Sequence, residues 1–582
     1  MKVFLRFVFA CLRVLCVCLC VLRGVSFSLD RNAFTFTNYD LQVHVDPPKS
    51  QLKVTGTLTL RNDSPDPQRF VDLQISSSLE WTSVLYNGKP VQYMTQPYMT
   101  DIDHTGAVSE AIVTLPAAIP PRGTLQLQVA YEGAVNQDST RLTRIGVPAS
   151  TAADSDWDRI SESFTALRGV GYVLWYPVAL ESASLSDGNA YFDALGEWRL
   201  RHAESSMQAA FWSPTPHMLV ADGTRLKAAL VPASRDLAIG AYDWPRFGLG
   251  VPSFAIADYQ ASADGPNRIY SLPGHAVLAS QYLAAARALA TRLEYARDPH
   301  LTVIDLPDAG MAPFESGDVL FAPLQPLSGD QLQLLLARSM FRGGFSSPRP
   351  WVEEGLAHFA QADVLNGTSR QAALAYMKLQ LPAIIEAEKP ILAAPQGKIQ
   401  PGTVANPGQN LLIAADEALY GSKAMYVWWM LRDLVGVNAF AKALDAYNPQ
   451  LDRDPTYVQS LFEKASGKKL EWFFDDWVYR DRGLPDFRPG EIYARPVLAG
   501  SYVVTVVVQN KGGAGAEVPV IVHGEGGEIT QRVLVPAHDQ GTLRVSLPSK
   551  PLRVTINDGS VPEWDLENNT GKAPSSSKVP PQ

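Results

Sequence analysis

The stretch Ser346–Gln361, SSPRPWVEEGLAHFAQ, decides how the rest of the chain is read. Pro350 suits the first position of a helix, where its missing N–H costs nothing. Apolar residues then recur through Trp351, Val352, Leu356 and Phe359 at helical spacing. Two adjacent acids, Glu353 and Glu354, stand one turn inside that helix, and His358 follows Glu354 by four residues, so both can share one helical face. A carboxylate and an imidazole so placed could hold a metal only with help from elsewhere in the chain, since two ligands from one helix rarely suffice.

Around this stretch lies a helical block. Residues 275–296 (HAVLASQYLAAARALATRLEYA) are rich in Ala and Leu at helical spacing, a strand-like piece, HLTVIDLP, follows, and helical runs resume from QLQLLLARSMF to NAFAKALDAY. Before the block, from Asn32 to about residue 135, short alternating runs bounded by Pro, Gly, Asn or Asp read as antiparallel strands. Strand-like pieces (WRLRHAESSMQAAFW, TRLKAALVP, PSFAIADY) carry the β region to about residue 260. After the block, SYVVTVVVQN, VPVIVHG, ITQRVLVP, GTLRVSL and LRVTIND recur with turn signals between them, and GEGGE near residue 524 reads as a hairpin turn. No internal repeat is evident. The expected domains are 29–260 (β), 261–486 (mainly helical) and 487–566 (β sandwich), with a disordered tail at 567–582.

The 582 residues, 46% apolar and 19% charged, supply material for several cores and exclude disorder along the whole length. Fifty basic against 59 acidic residues leave a net charge of −9, which argues against a nucleic-acid partner. All four cysteines (Cys11, Cys16, Cys18, Cys20) fall in the first twenty residues, in a segment opening with Lys2 and carrying the apolar run Val14–Leu22. This is the layout of an export signal with a cut after Ser28, or of an uncleaved anchor. The expectation is an exported protein, periplasmic or extracellular, touching a membrane only through residues 1–28. The mature chain then holds no cysteine, which excludes a disulfide scaffold, a thiolate zinc site and a cysteine nucleophile. There is no Gly-rich phosphate loop and no G-x-S-x-G elbow. Sequons stand at Asn62 and Asn366.

The segment WVEEG together with the domain order resembles the gluzincin aminopeptidases of the membrane alanyl aminopeptidase type. The resemblance implies a multidomain α+β fold: a β saddle-like domain, a thermolysin-like helical domain and an Ig-like sandwich. It implies an HExxH helix whose two imidazoles bind zinc and whose Glu activates water, with a third ligand from the Glu of W-x-x-E-G. Glu354 matches that third ligand. Glu315, in GMAPFESGDVLF, resembles the Glu of the family's GAMEN segment, which holds a substrate's amino group, although the rest of GAMEN is absent. Tyr420, in LYGSKAMYVWWMLRD, is similar to the family tyrosine that stabilises the transition state, and Lys423 follows one residue later than the family places its lysine.

HExxH itself is missing. Setting LLLARSMF on the family's helix puts Leu334 and Arg338 at the histidine positions and Leu335 at the general base. No histidine occurs between His300 and His358, so no register restores the motif. Losing two imidazoles removes most of a binding free energy of about 10–16 kcal/mol for a structural zinc. Losing the base removes a rate factor of about 10²–10⁴. No cofactor is therefore expected. Arg338 is instead expected to pair with Glu354 and replace the lost cation, since guanidinium is always charged and grips a carboxylate with two bonds.

Plainer readings stand beside these: a helix-surface carboxylate for Glu354, a loop acid for Glu315, a core aromatic for Tyr420, a structural histidine for His358 and an exposed base for Arg338. The aromatic pair Trp175 and Tyr176 reads as inter-domain packing. Three functions follow: a non-catalytic peptide- or protein-binding relative, an active zinc aminopeptidase drawing on Glu354 and His358, or a structural envelope protein whose cleft is filled by side chains such as Met340 or Phe341.

Overall fold

The computed structural model describes residues 29–186, 188–227, 237–248, 250–293, 295–393, 409–497 and 500–573. The expected export segment, 1–28, lies outside them. Among the described residues no helix is long and apolar enough to cross a membrane.

The alternating runs at the start of the chain build a sheet in the order 224–225, 237–244, 206–213, 34–46, 51–62, 124–134, 79–86 and 89–90. Its pairings are antiparallel except between Phe34–Asp46 and Ser206–Ser213. Two three-stranded sheets accompany it, one of 68–76, 107–119 and 92–99, the other of 218–221, 253–257 and 164–168. Trp175 and Tyr176 pack into this β region's own core, against Phe254 and Phe247. The inter-domain role expected for them is corrected accordingly. The sequon at Asn62 is closed, because its buried Nδ2 donates to the carbonyls of Asp66 and Ile119, both at 2.9 Å.

A second correction falls on WRLR, which belongs to a helix, Gly188–Arg201, and not to a strand. Tyr191, Leu195 and Trp198 are buried at spacings of four and three, a helical period hidden among strand-like neighbours.

A five-stranded sheet (260–264, 267–271, 302–305, 319–322, 314–316) separates two cores. Side chains alternate across it: Val303, Leu320 and Ala322 enter the helical core, while Ile304, Val319 and Phe321 enter the β core. Burial on both faces explains why VLFA carries no polar residue and why the middle of TVID is apolar.

Helices Gly329–Gly344 and Pro350–Asn366 pack side by side on the helical face. The first is opened by a capping box between Ser328 and Gln331, the second by Pro350. The second crosses the helix Ala424–Val435 at Gly355, where an added Cβ would come within 2.6 Å of the Ala424 methyl. Trp351 stacks on Trp428 at 5.0 Å, and Trp428 Nε1 donates to the Trp351 carbonyl. The Trp and Gly of WVEEG are thus the packing that fixes the rotation of Glu354.

After the helices come two sheets, one of 487–496, 502–510 and 540–547, the other of 527–535, 516–524, 551–556 and 570–572. Their core is continuous with that of the helical block through Trp477, Leu484 and Phe487. Thr570–Lys572 pairs with Pro551–Ile556, so the tail expected from residue 567 holds a strand at 570–572. Residues 574–582 lie outside the described ones.

Candidate functional site: a cavity floored by guanidinium and carboxylate groups

A cavity of about 650 Å³ opens between the β region, the edge strand Phe314–Ser316 and the helix Gly329–Gly344. Leu334, Leu335, Arg338 and Arg342 line it from one helical face, at the i, i+4 spacing that brings side chains together. Glu315 enters from the edge strand, Glu354 from the next helix, and Glu417 and Tyr420 from the segment around 418–423. Arg199 and Tyr172 enter from the β region.

Arg338 Nη2 donates to Glu354 Oε2 at 2.9 Å and to Glu417 Oε1 at 2.8 Å, and its Nε lies 3.4 Å from Glu315 Oε2. Arg342 Nη2 donates to the same Glu354 oxygen, and its Nη1 reaches Glu315 Oε2 at 3.5 Å. Ser339 Oγ donates to Glu315 Oε1 at 2.9 Å. Two guanidinium groups therefore serve three carboxylates. Burial pushes the Glu354 carboxyl up, but Arg342 and Arg338 outweigh it and hold the group at about 2. For Glu417 burial also acts upward, and is overcome by His358 and Arg338.

His358 sits behind this wall. Burial and Arg338 lower its pKa, both ring nitrogens lack a hydrogen-bond partner, and Nε2 is 3.7 Å from Glu417 Oε1. Tyr420 lines the cavity, and burial with Glu417 nearby pushes its hydroxyl up. It lies in a π-helical segment, Ala418–Lys423, a turn wider by one residue than an α-turn. Lys423 points away into the core, where Nζ donates to Glu388 Oε1 at 2.5 Å. Met340 and Phe341 are fully buried in the helical core and do not line the cavity.

Three participants were not found from the sequence. Arg342 is one helical turn beyond Arg338, so periodicity alone would have found it. Glu417 stands three residues before Tyr420 and was detectable as its neighbour. Arg199 carries no local signal, because only the tertiary fold brings its helix to the cavity.

No family model matches the chain, and no curated protein matches it. Among solved structures it is similar to an M1 zinc metallopeptidase from Deinococcus radiodurans, at 16% identity over 79% of this chain and 97% of that one, with a TM-score of 0.46. It is also similar to a variant of an M1 zinc metallopeptidase from the same organism bound to a Tyr-Ser-Ala substrate, at 15% identity, the same coverage and a TM-score of 0.45. The side chains in the cavity do not suit a zinc ion. Among the described residues no three His, Cys, Asp or Glu side chains are grouped to hold a metal. One Glu354 oxygen is also already shared by two cations, which would repel a third.

Proposed function

We propose that the chain is an exported, aminopeptidase-like protein that has lost metal-dependent hydrolysis and uses its cavity to bind a peptide, or a segment of a protein partner, without cutting it. One observation carries this reading: the guanidinium groups of Arg338 and Arg342 converge on Glu354, the residue matched to a zinc ligand. Hydrolysis by a metallopeptidase needs a polarised water at that carboxylate. Here the charge is supplied by groups that hold no water as a ligand and take no proton from one. The apolar wall and the volume of the cavity suit a short peptide. An open cavity, with Met340 and Phe341 elsewhere, also speaks against a purely structural role for a filled cleft.

The test is elemental analysis of the purified protein together with an aminoacyl-anilide assay. The expected outcome is zinc well below one per chain and no chelator-sensitive release of the anilide. Stoichiometric zinc with chelator-sensitive turnover would overturn the proposal in favour of an active aminopeptidase drawing on Glu354 and His358.

A further inference from the structure

The chemistry of the ligand follows from what the cavity leaves unsatisfied. Around it, among the described residues, the buried polar atoms without a hydrogen-bond partner are the Nε atoms of Arg199, Arg338 and Arg342. No oxygen of Glu315, Glu354 or Glu417 is in that state. His358, behind the wall, has one donor and one acceptor when neutral and leaves the balance unchanged. Among these buried atoms, the unmet groups are donors.

Arg199 concentrates that shortage. It lines the cavity, and none of the described carboxylates forms an ion pair with it. Glu417 and Glu354, acids that line the same cavity, are bound instead to Arg338. A guanidinium offers five N–H groups in a planar fork that matches a carboxylate with two parallel bonds. Glu315, which the resemblance assigned to an amino group, is engaged by Ser339 and Arg342 and lies 3.4 Å from Arg338 Nε. An incoming ammonium would have to compete with those cations. An incoming carboxylate on Arg199 displaces nothing. A doubly charged phosphate fits less well, because three carboxylates border the same floor. Beside Arg199 and Tyr172, the apolar side chains Phe314, Leu334 and Leu335 receive the rest of the ligand.

We infer that the cavity recognises a peptide by a free carboxylate held on Arg199, reversing the polarity expected of an amine-binding site. The inference rests on the peptide-binding reading above and adds the end of the ligand that is read. The source is a C-terminus or an acidic side chain, which share this chemistry.

Calorimetric titration of the purified full-length protein tests it with four probes of one tripeptide. These are the N-acetyl acid, the N-acetyl amide, the free-amine amide, and an N-acetyl amide carrying a central glutamate. The acid is expected to bind at least ten-fold tighter than both uncharged and amine forms, and Arg199→Gln to abolish that preference while Arg199→Lys keeps part of it. Tight binding of the glutamate probe supports the carboxylate and assigns it to a side chain. Equal or tighter binding of the free-amine amide, or no difference between acid and neutral forms, overturns the inference and leaves peptide binding intact. No binding of any probe at millimolar concentration overturns both. The probe comparison on the unmutated protein stands whether or not the Arg199 variants fold.

Discussion

Two regions of this molecule pair arginine with acid, and they do so differently. In the β region Arg168 meets Asp158 through Nε at 2.9 Å and Nη2 at 2.6 Å, gives a further bond to the Ser155 carbonyl, and lies 3.7 Å from the rings of both Trp157 and Tyr172. Arg141 grips Asp156 in the same bidentate way and spends Nη1 on the carbonyls of Asp101 and Gly171. Each acid there has its own guanidinium, which grips it through two nitrogens. In the cavity two guanidinium groups are shared by three acids, two Nε atoms are orphaned, and Glu417 remains 43% exposed. Saturated pairing locks a fold. Unsaturated pairing beside an open volume leaves hydrogen-bonding capacity for a ligand.

The largest effect is expected where pairing is saturated. Asp158→Asn leaves Arg168 charged and buried without its counterion, a change that typically costs about 3–5 kcal/mol. Thermal melting should show a strongly lowered midpoint. A loss below about 1 kcal/mol would break the comparison, because the pair would then contribute no more than a surface contact.

Next in size is the acid response of the cavity. Glu354 is held at about 2 against an ordinary 4.5. Its ionised form is therefore favoured in the folded state, and the stabilisation is present above the unfolded value and lost as pH falls through the folded one. At about 1.4 kcal/mol per pH unit of difference, the loss between pH 5 and pH 2 is about 3 kcal/mol. Denaturant midpoints measured across that range should fall more steeply for the unmutated protein than for Glu354→Gln. Parallel curves would remove the claim that Arg338 and Arg342 hold this carboxylate ionised.

How much of this was legible in sequence depends on length scale. Arg338 and Glu354 were expected as partners because the resemblance set Arg338 at a missing histidine position, where its charge could replace a cation; the structure puts 2.9 Å between their atoms. Gly355 and Trp351 were legible as a motif, but their packing against Ala424 and Trp428 was not, since the crossing partner is remote in sequence. Of the short strands that wall off the two cores, Thr302–Asp305 lies in the strand-like piece HLTVIDLP, while Phe314–Ser316 and Val319–Ala322 are too short for an alternation to stand out. Glu315 was therefore read as a loop acid or a motif remnant, when its position follows from an edge strand paired to 319–322. Arg199 was beyond reach altogether, because its helix was taken for strand.

The smallest effect is expected at Glu417, the acid that tells the two kinds of pairing apart most finely. Its bond to Arg338 is 2.8 Å long, as short as those in the β region, so geometry alone would rank it with Asp158. Exposure gives the opposite ranking: water replaces much of what a half-open carboxylate loses, and such pairs contribute about 0–1 kcal/mol. Glu417→Gln keeps the shape and one acceptor oxygen for Arg338, while Glu354 and Glu315 still neutralise the two guanidinium groups. Its melting midpoint should stay close to that of the unmutated protein, and removing one of three bordering negative charges should tighten binding of the N-acetyl peptide acid. A drop as large as that of Asp158→Asn would mean that the cavity's charges are as interlocked as those of the β region, and that its open volume offers a ligand no spare hydrogen bonds.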